Sequence, residues 1–508
     1  MSVTGRVLFI ALAFPPHPGS GTLRSAKFVK YLGAFGWQPV VITLDWERVL
    51  EPSGLDASLL EDVPAHVPVY RLDPFHPVLH LKQMIRPPSP PPADRPIVTE
   101  SEVPLEEQAH SWLYRGLRSV YHGLLAPVGD EHFYWAWRAV PDSIEIALRH
   151  RVDAIFVSVS PWTSGFLGLM LKTILGLPLV VDFRDYWTLW PIKARRPVRD
   201  RLDALAERLL LRTADRIICV HQAMAEDFAG LHPRASAKCV VIPNGYDPED
   251  FPHLGPMTLT GQLSLMTMTD ARHDEGGERE RPFPSPSPTR GMAHEPPMMS
   301  LTSAGSPLPS SWPPRTSLVH TGMVWGDAAG AFLRALAQLK PEGIEARLHV
   351  RFVGGLPPSN IRFLRDHQLD SLVTVEPRTT HRTALQRMKA ADVLLLLLTS
   401  HEGGRKWYPG KLFEYLVAGK PVLAIAPPGI ATQLIEEAGV GTSVDHTDTR
   451  QLVEMIRWIA HHPDEFRERF YHPQPSVIAR YDRRRLTERL AETLTEVRFG
   501  IERSDVSR

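Results

Sequence analysis

Cysteine is nearly absent from this sequence: Cys219 and Cys239 are its whole complement. A structural zinc site needs more soft ligands, and a small secreted framework needs more pairs, so neither class applies. Each cysteine lies in a short apolar run and reads as an inert core thiol. An excess of one charge is also lacking. The 57 Lys and Arg residues equal the 57 Asp and Glu residues, so no overall field attracts nucleic acid or an acidic membrane, and only a local basic patch stays open. Long apolar runs are missing as well. The longest apolar region, residues 152–181, contains Pro161, Lys172 and Pro178 and divides into strand, helix and strand rather than a membrane span. The apolar run 7–14 is too short for a secretory signal and stops at Pro15 and Pro16, which marks a first strand. These absences predict a cytoplasmic protein, with peripheral contact at the inner face of a membrane left open.

What the sequence does have is length and rhythm. A chain of 508 residues exceeds what one hydrophobic core supports, so two domains are expected. From Arg6 to Asn244 apolar strand-like runs at 7–13, 39–43, 154–159, 179–183, 217–220 and 240–242 alternate with helical segments. The rhythm restarts at Ser317, with runs at 318–321, 348–353, 373–375, 393–398, 422–425 and 442–444. Alternation of this kind predicts an α/β fold built from two doubly wound parallel sheets. The expected division is residues 1–245, a connection over 246–316, and residues 317–508. Within the connection, residues 255–315 repeat Pro, Ser, Thr and Met without apolar periodicity, as a disordered insertion would. A polar, Pro-rich loop spans 86–103. An aromatic segment, 112–137, follows it and reads either as helix-packing core or as an acceptor- or lipid-facing surface flanked by Arg115 and Arg118.

Two segments carry chemistry. The first loop, residues 14–21, contains Gly19 and Gly21, which let backbone approach a ligand at the carboxyl end of a strand. Arg24 occupies the place of a third glycine, which disfavours a nicotinamide cofactor. The stronger signal is residues 405–421. Arg405 and Lys406 lead into a helix beginning at Pro409 and Gly410, whose unpaired N–H groups suit an anion. Lys411 adds a charge in the first turn, and Glu414, three residues on, shares its face. A carboxylate there can accept from a ribose diol while phosphates sit at the helix end. A surface Lys–Glu pair is the bland alternative. There is no Asp-x-Asp signature to hold a metal.

With these motifs the chain resembles the family-four, GT-B type retaining glycosyltransferases. The likeness is carried by the first loop, by residues 181–187 and 242–247, and by His320-Thr321-Gly322, Phe352-Val353-Gly354-Gly355, Ala390-Ala391-Asp392-Val393 and residues 411–421. The resemblance implies two Rossmann-like domains facing each other across a cleft, with the acceptor on the first and the nucleotide-sugar donor on the second. It implies that Lys411 and Arg405 neutralise the donor diphosphate and that Glu414 binds ribose beside Gly410. Gly322 would lie in the first loop of the donor domain, Pro377 and Arg378 near the base, and Gly19 and Gly21 beside the phosphates and acceptor. No metal and no cofactor is expected, the nucleotide-sugar being the substrate and a glycan or lipid-linked saccharide the acceptor. The chain departs from the family in having Lys406 eight residues before Glu414, no cation in the loop 322–327, and Arg184-Asp185 where a His is frequent. Two other readings stand beside transfer: a nucleotide-sugar epimerase on the same architecture, and a catalytically silent nucleotide-sugar binding module.

Overall fold

The apolar runs form two parallel sheets in the structure, a computed structural model that describes residues 4–75, 128–189, 197–252, 315–324, 328–398 and 402–500. The first sheet holds β1 (Gly5–Ala11), β2 (Trp37–Leu44), β3 (Val69–Leu72), β4 (Ala154–Val159), β5 (Leu179–Phe183), β6 (Arg216–Cys219) and β7 (Cys239–Val241). Their order is β3-β2-β1-β4-β5-β6-β7. The second holds β8 (Thr316–Thr321), β9 (Leu348–Val353), β10 (Val373–Glu376), β11 (Val393–Leu397), β12 (Val422–Ile425) and β13 (Gly441–Val444), in the order β10-β9-β8-β11-β12-β13. Helices cover both faces, which is why β4, β5, β11 and β12 are buried along their whole length; β11 and β12 read as unbroken apolar runs, and β4 and β5 are interrupted only by Ser158 and Asp182. The half-buried edge strand β3, Val-Tyr-Arg-Leu, lacks such a run and escapes the sequence pattern.

Strand order reverses between β1 and β4 and again between β8 and β11. In open α/β sheets ligands bind at such points, outside the carboxyl ends of the strands. Arg24, in the helix Ser20–Leu32, serves the first of these points structurally. Its guanidinium donates to both carboxylate oxygens of Asp182 on β5, at 2.7 and 2.9 Å, and to the carbonyls of Ile242 and Pro243 at 2.8 Å. The pair is 1% and 0% exposed, and these bonds offset the desolvation of both charges.

The chain crosses between the sheets twice, side by side. Tyr246 donates its N–H to the Tyr481 carbonyl and accepts from the Arg483 N–H, both at 2.9 Å. A Cβ at residue 245 would stand 2.1 Å from the Tyr481 oxygen, so Gly245 permits this approach. The second crossing corrects the expected boundary at 317–508. The helix Arg483–Phe499 lies on the first sheet, where Leu486, Leu490, Ala491 and Leu494 join Val7, Phe9 and Trp37 in one core. Its apolar stripe marks a helix in the sequence but carries no sign of which sheet it covers.

The expectations for residues 86–103 and for nearly all of 255–315 lie outside the described residues, as does 112–127. Of the aromatic segment, the helix Phe133–Arg138 is described. It buries Trp135 and leaves Trp137 58% exposed, so it is core on one face and surface on the other. Among the described residues no helix is long and apolar enough to cross a membrane.

Candidate active site

At the carboxyl end of β8 stands His320, fully buried. Its Nδ1 lies 2.9 Å from the Leu395 carbonyl, an acceptor, so Nδ1 carries the proton and Nε2 is left as an acceptor. Lys411 fills that position, donating from Nζ to Nε2 at 2.9 Å. Burial, with the Lys411 charge beside it, holds His320 well below its ordinary pKa, and it stays neutral. Desolvation lowers Lys411 itself to about 7, although Glu414 one turn on acts to raise it. The Lys411 tail lies against Gly322, where a Cβ would stand 3.3 Å from Nζ. Gly322 has φ +80°, in the left-handed region, and Gly354 after β9 (φ +123°) packs its Cα onto the Gly322 backbone. Two glycine loops thus open the space beside the lysine.

The helix that presents Lys411 runs only Gly410–Tyr415, with Pro409 at its N-cap. So short a helix contributes a small dipole, and the local positive charge rests on the lysine. Tyr415 anchors the helix by accepting from the Thr321 N–H at 3.0 Å. Glu414 is held by His381, whose Nε2 lies 2.7 Å from the carboxylate. Burial alone would lower His381, but Glu414 outweighs it and the histidine is raised. The His381 N–H also donates to Asp56 of the first domain at 2.8 Å, so the Glu414 partner is tied across the cleft.

The expected cluster of three cations is not what the structure builds. Lys406 turns across the cleft and forms an ion pair with Asp227 at 3.0 Å. Arg405 is exposed, at the end of the helix Glu402–Arg405. Lys411 is the one brought against the Gly322 loop. Pro377 and Arg378 are exposed just past β10, and Arg378 is near enough to His17 of the first domain to help depress it.

Facing this from the first domain is a cavity of about 490 Å³ at the ends of β1, β4 and β5. Gly19 and Gly21 line it, together with His17, Trp162, Arg184 and Trp187. Burial drives His17 down to about 4, helped by Arg378 and Arg184, so its ring is neutral. The ring packs on Trp46 at 4.1 Å, and Trp46 meets His132 edge-on. Ser160, which also lines the cavity, holds φ +89°, a strained value for a residue with a side chain. The two domains meet where the loops do: a Cβ on Gly410 would stand 2.8 Å from the Ser20 Cβ. The first-helix start, the Lys411 helix and the cavity therefore share one cleft.

Sequence reasoning missed His381, the first residue of a helix, Asp56, the cap of a short 3-10 helix, and Trp162, in a turn, because none carries a motif. His320 stood in plain view before Gly322, but only the fold shows it beneath Lys411. A third cluster, Asp62, Asp247 and Asp250, brings carboxylates within metal-binding range of one another. Lys27 already occupies it, with Nζ 2.7, 2.6 and 3.1 Å from the three, and Lys30 adds a second charge.

Residues 96–250 match the family model for Glycosyltransferase Family 4. No curated protein matches the chain. Among solved structures it is similar to a sucrose-phosphate synthase from Thermosynechococcus elongatus, at 14% identity over 96% of this chain and 98% of that one, with a TM-score of 0.53. A glycosyltransferase from Rickettsia africae ESF-5 aligns at 11% identity over 98% and 99% of the two chains, with a TM-score of 0.53. A UDP-N-acetylglucosamine 2-epimerase aligns at 11% over 100% and 99%, with a TM-score of 0.50. At such identities the structural likeness establishes the GT-B fold and leaves chemistry to the residues. Residues 96–250 thus carry a Glycosyltransferase Family 4 match, set in the two facing parallel sheets of a GT-B fold.

Proposed function

We propose that the chain moves a sugar from a nucleotide-sugar donor, held by the second domain, to an acceptor hydroxyl seated in the first-domain cavity, with retention and without metal. One observation carries this reading: the Lys411 helix and the first-helix start meet at Gly410 and Ser20, between a donor-side lysine and an acceptor-side cavity.

In this mechanism Lys411, seated on neutral His320, faces the diphosphate over Gly322. Glu414 accepts from the ribose diol, and Pro377 and Arg378 border the base. The bond from the anomeric carbon to the diphosphate oxygen breaks. The acceptor oxygen forms its bond to that carbon on the same face, and its proton passes to the departing diphosphate. Charge develops on the leaving diphosphate, where a preorganised ammonium stabilises the transition state more than the ground state. Lys406, paired with Asp227, contributes to closure of the cleft rather than to the phosphates.

The test uses UDP, GDP and ADP sugars with the full chain in chelator. Release of nucleoside diphosphate, with transferred or hydrolysed sugar keeping its anomeric configuration by NMR, supports the proposal. Inversion, or a metal requirement, overturns the corresponding part. Interconversion of the donor into its epimer without release points instead to the epimerase. Tight nucleotide binding without any turnover points to the silent module.

A further inference from the structure

The first-domain cavity carries a chemical bias that narrows its ligand. We propose that it receives an acceptor saccharide bearing an oxyanion, either a phosphate or a uronate carboxylate, bound by Arg184 beside the start of the helix Ser20–Leu32. This rests on the reading of the chain as a sugar transferase and concerns the acceptor alone.

Two buried donors at the cavity, the Arg184 Nε and the Trp187 Nε1, stand without hydrogen-bond partners. Arg184 has a buried Nε without a hydrogen-bond partner, and no carboxylate among the described residues comes within ion-pair distance of its guanidinium. Asp185 and Asp182 offset part of the desolvation of this half-buried guanidinium through space, and an arriving oxyanion would supply the direct hydrogen bonds that its Nε lacks. The guanidinium occupies the space above Gly21, where a Cβ would stand 1.2 Å from Nη1. Any larger residue at 21 would displace it. The helix beginning there has no side-chain cap and no acidic residue in its first turn, so its first N–H groups face the same space. Trp187 is 3% exposed, lines the cavity, and has an Nε1 without a partner.

Asp185, next in the chain, acts on Arg184 through space without reaching ion-pair distance and does not line the cavity, and the other carboxylates nearby are engaged or lie at the rim. Asp130 accepts from the Thr163 N–H at 2.9 Å, the His132 N–H at 3.0 Å and the Thr163 hydroxyl. Asp182 is bound to Arg24. Glu131 is 76% exposed at the rim. A neutral sugar can accept from these N–H groups through its hydroxyls, but it brings no charge to the guanidinium. An oxyanion offers acceptors only, and Arg forms a matching fork for phosphate or carboxylate. The indole walls, Trp162 and Trp187 packed edge-on at 6.5 Å, suit the apolar face of the sugar ring.

Calorimetric titration of the full chain with glucose, glucose 6-phosphate, glucuronate and inorganic phosphate tests this, because the three sugars share one ring and differ at C6. The anions should bind at least tenfold tighter than glucose, and the tighter of glucose 6-phosphate and glucuronate identifies the oxyanion. Arg184→Gln should abolish that advantage, about ten- to hundredfold. Gly21→Ala, which keeps every charge but pushes the guanidinium aside, should weaken the same anions. Lys411→Ala should keep the advantage. Anions binding no tighter than glucose would overturn the proposal, as would loss of the advantage in Lys411→Ala with retention in Arg184→Gln. Nucleoside diphosphate is titrated into the same proteins. Its failure to bind would refute the donor reading while leaving the anion result to stand by itself.

Discussion

Donor binding should draw a proton onto Lys411. In the free protein this lysine sits at about 7 because it is desolvated and rests on a neutral imidazole. At pH 8 roughly nine-tenths of such lysines are neutral. A bound diphosphate supplies the missing counter-charge and raises the lysine pKa, so the complex holds more protons than the free protein. Affinity therefore falls as pH rises through 7, by up to about tenfold per pH unit, and by roughly two orders of magnitude between pH 6 and pH 9. The other groups facing the site are His320, kept neutral by burial, Tyr415, pushed up to about 12, and the His381–Glu414 pair. His381 is raised and titrates as well, so the parent is compared with Lys411→Ala. The assay is calorimetry of a nucleotide sugar, which has no titrating phosphate near neutrality, at pH 8 in buffers of different ionisation enthalpy. The parent should take up about 0.9 proton more than the variant. Equal uptake by both proteins, or affinity independent of pH between 6 and 9, would refute the placement of the diphosphate at Lys411.

Other outcomes follow from the frame around the site. Asp182→Ala leaves Arg24 buried without its partner and should cost about 3–5 kcal/mol in denaturant unfolding of the full chain. Gly245→Ala drives a Cβ into the Tyr481 carbonyl where the two crossings touch, and should cost about 1–3 kcal/mol by the same measurement. Turnover should persist in excess chelator, since the proposed counter-charge is Lys411. Loss of activity restored by magnesium or manganese would contradict that.

The two sheets were legible because strands buried on both faces leave mainly apolar runs; β11 and β12 are unbroken, and β1, β4 and β5 carry a single polar residue each. The edge strand β3 was not, since half its surface is solvated and its sequence alternates weakly. The segment around Lys411 was visible from a proline, a glycine and a Lys–Glu spacing, which are local. What those residues touch is not local. His320 lies 91 positions from Lys411, His381 is 33 from Glu414, and Asp227 is 179 from Lys406. Sequence spacing treated Arg405, Lys406 and Lys411 as one patch because it cannot see that Asp227 stands opposite. It likewise assigned the last helix to the nearer domain, although Leu486, Leu490 and Leu494 complete the first sheet's core.

The donor site itself is tested most directly by titrating UDP, GDP and ADP into the parent, Glu414→Gln and Lys411→Ala, beside steady-state rates of nucleotide-sugar cleavage. One nucleotide should bind the parent. Glu414→Gln should weaken it about ten- to hundredfold, because a neutral amide accepts less strongly from the ribose diol. Lys411→Ala should weaken nucleotide binding below pH 7, where the parent lysine is charged, and should depress turnover further, because its charge matters most as the diphosphate departs. If Glu414→Gln binds nucleotide as tightly as the parent and Lys411→Ala turns over normally, the donor is held elsewhere and these two residues only brace the fold against His381 and His320.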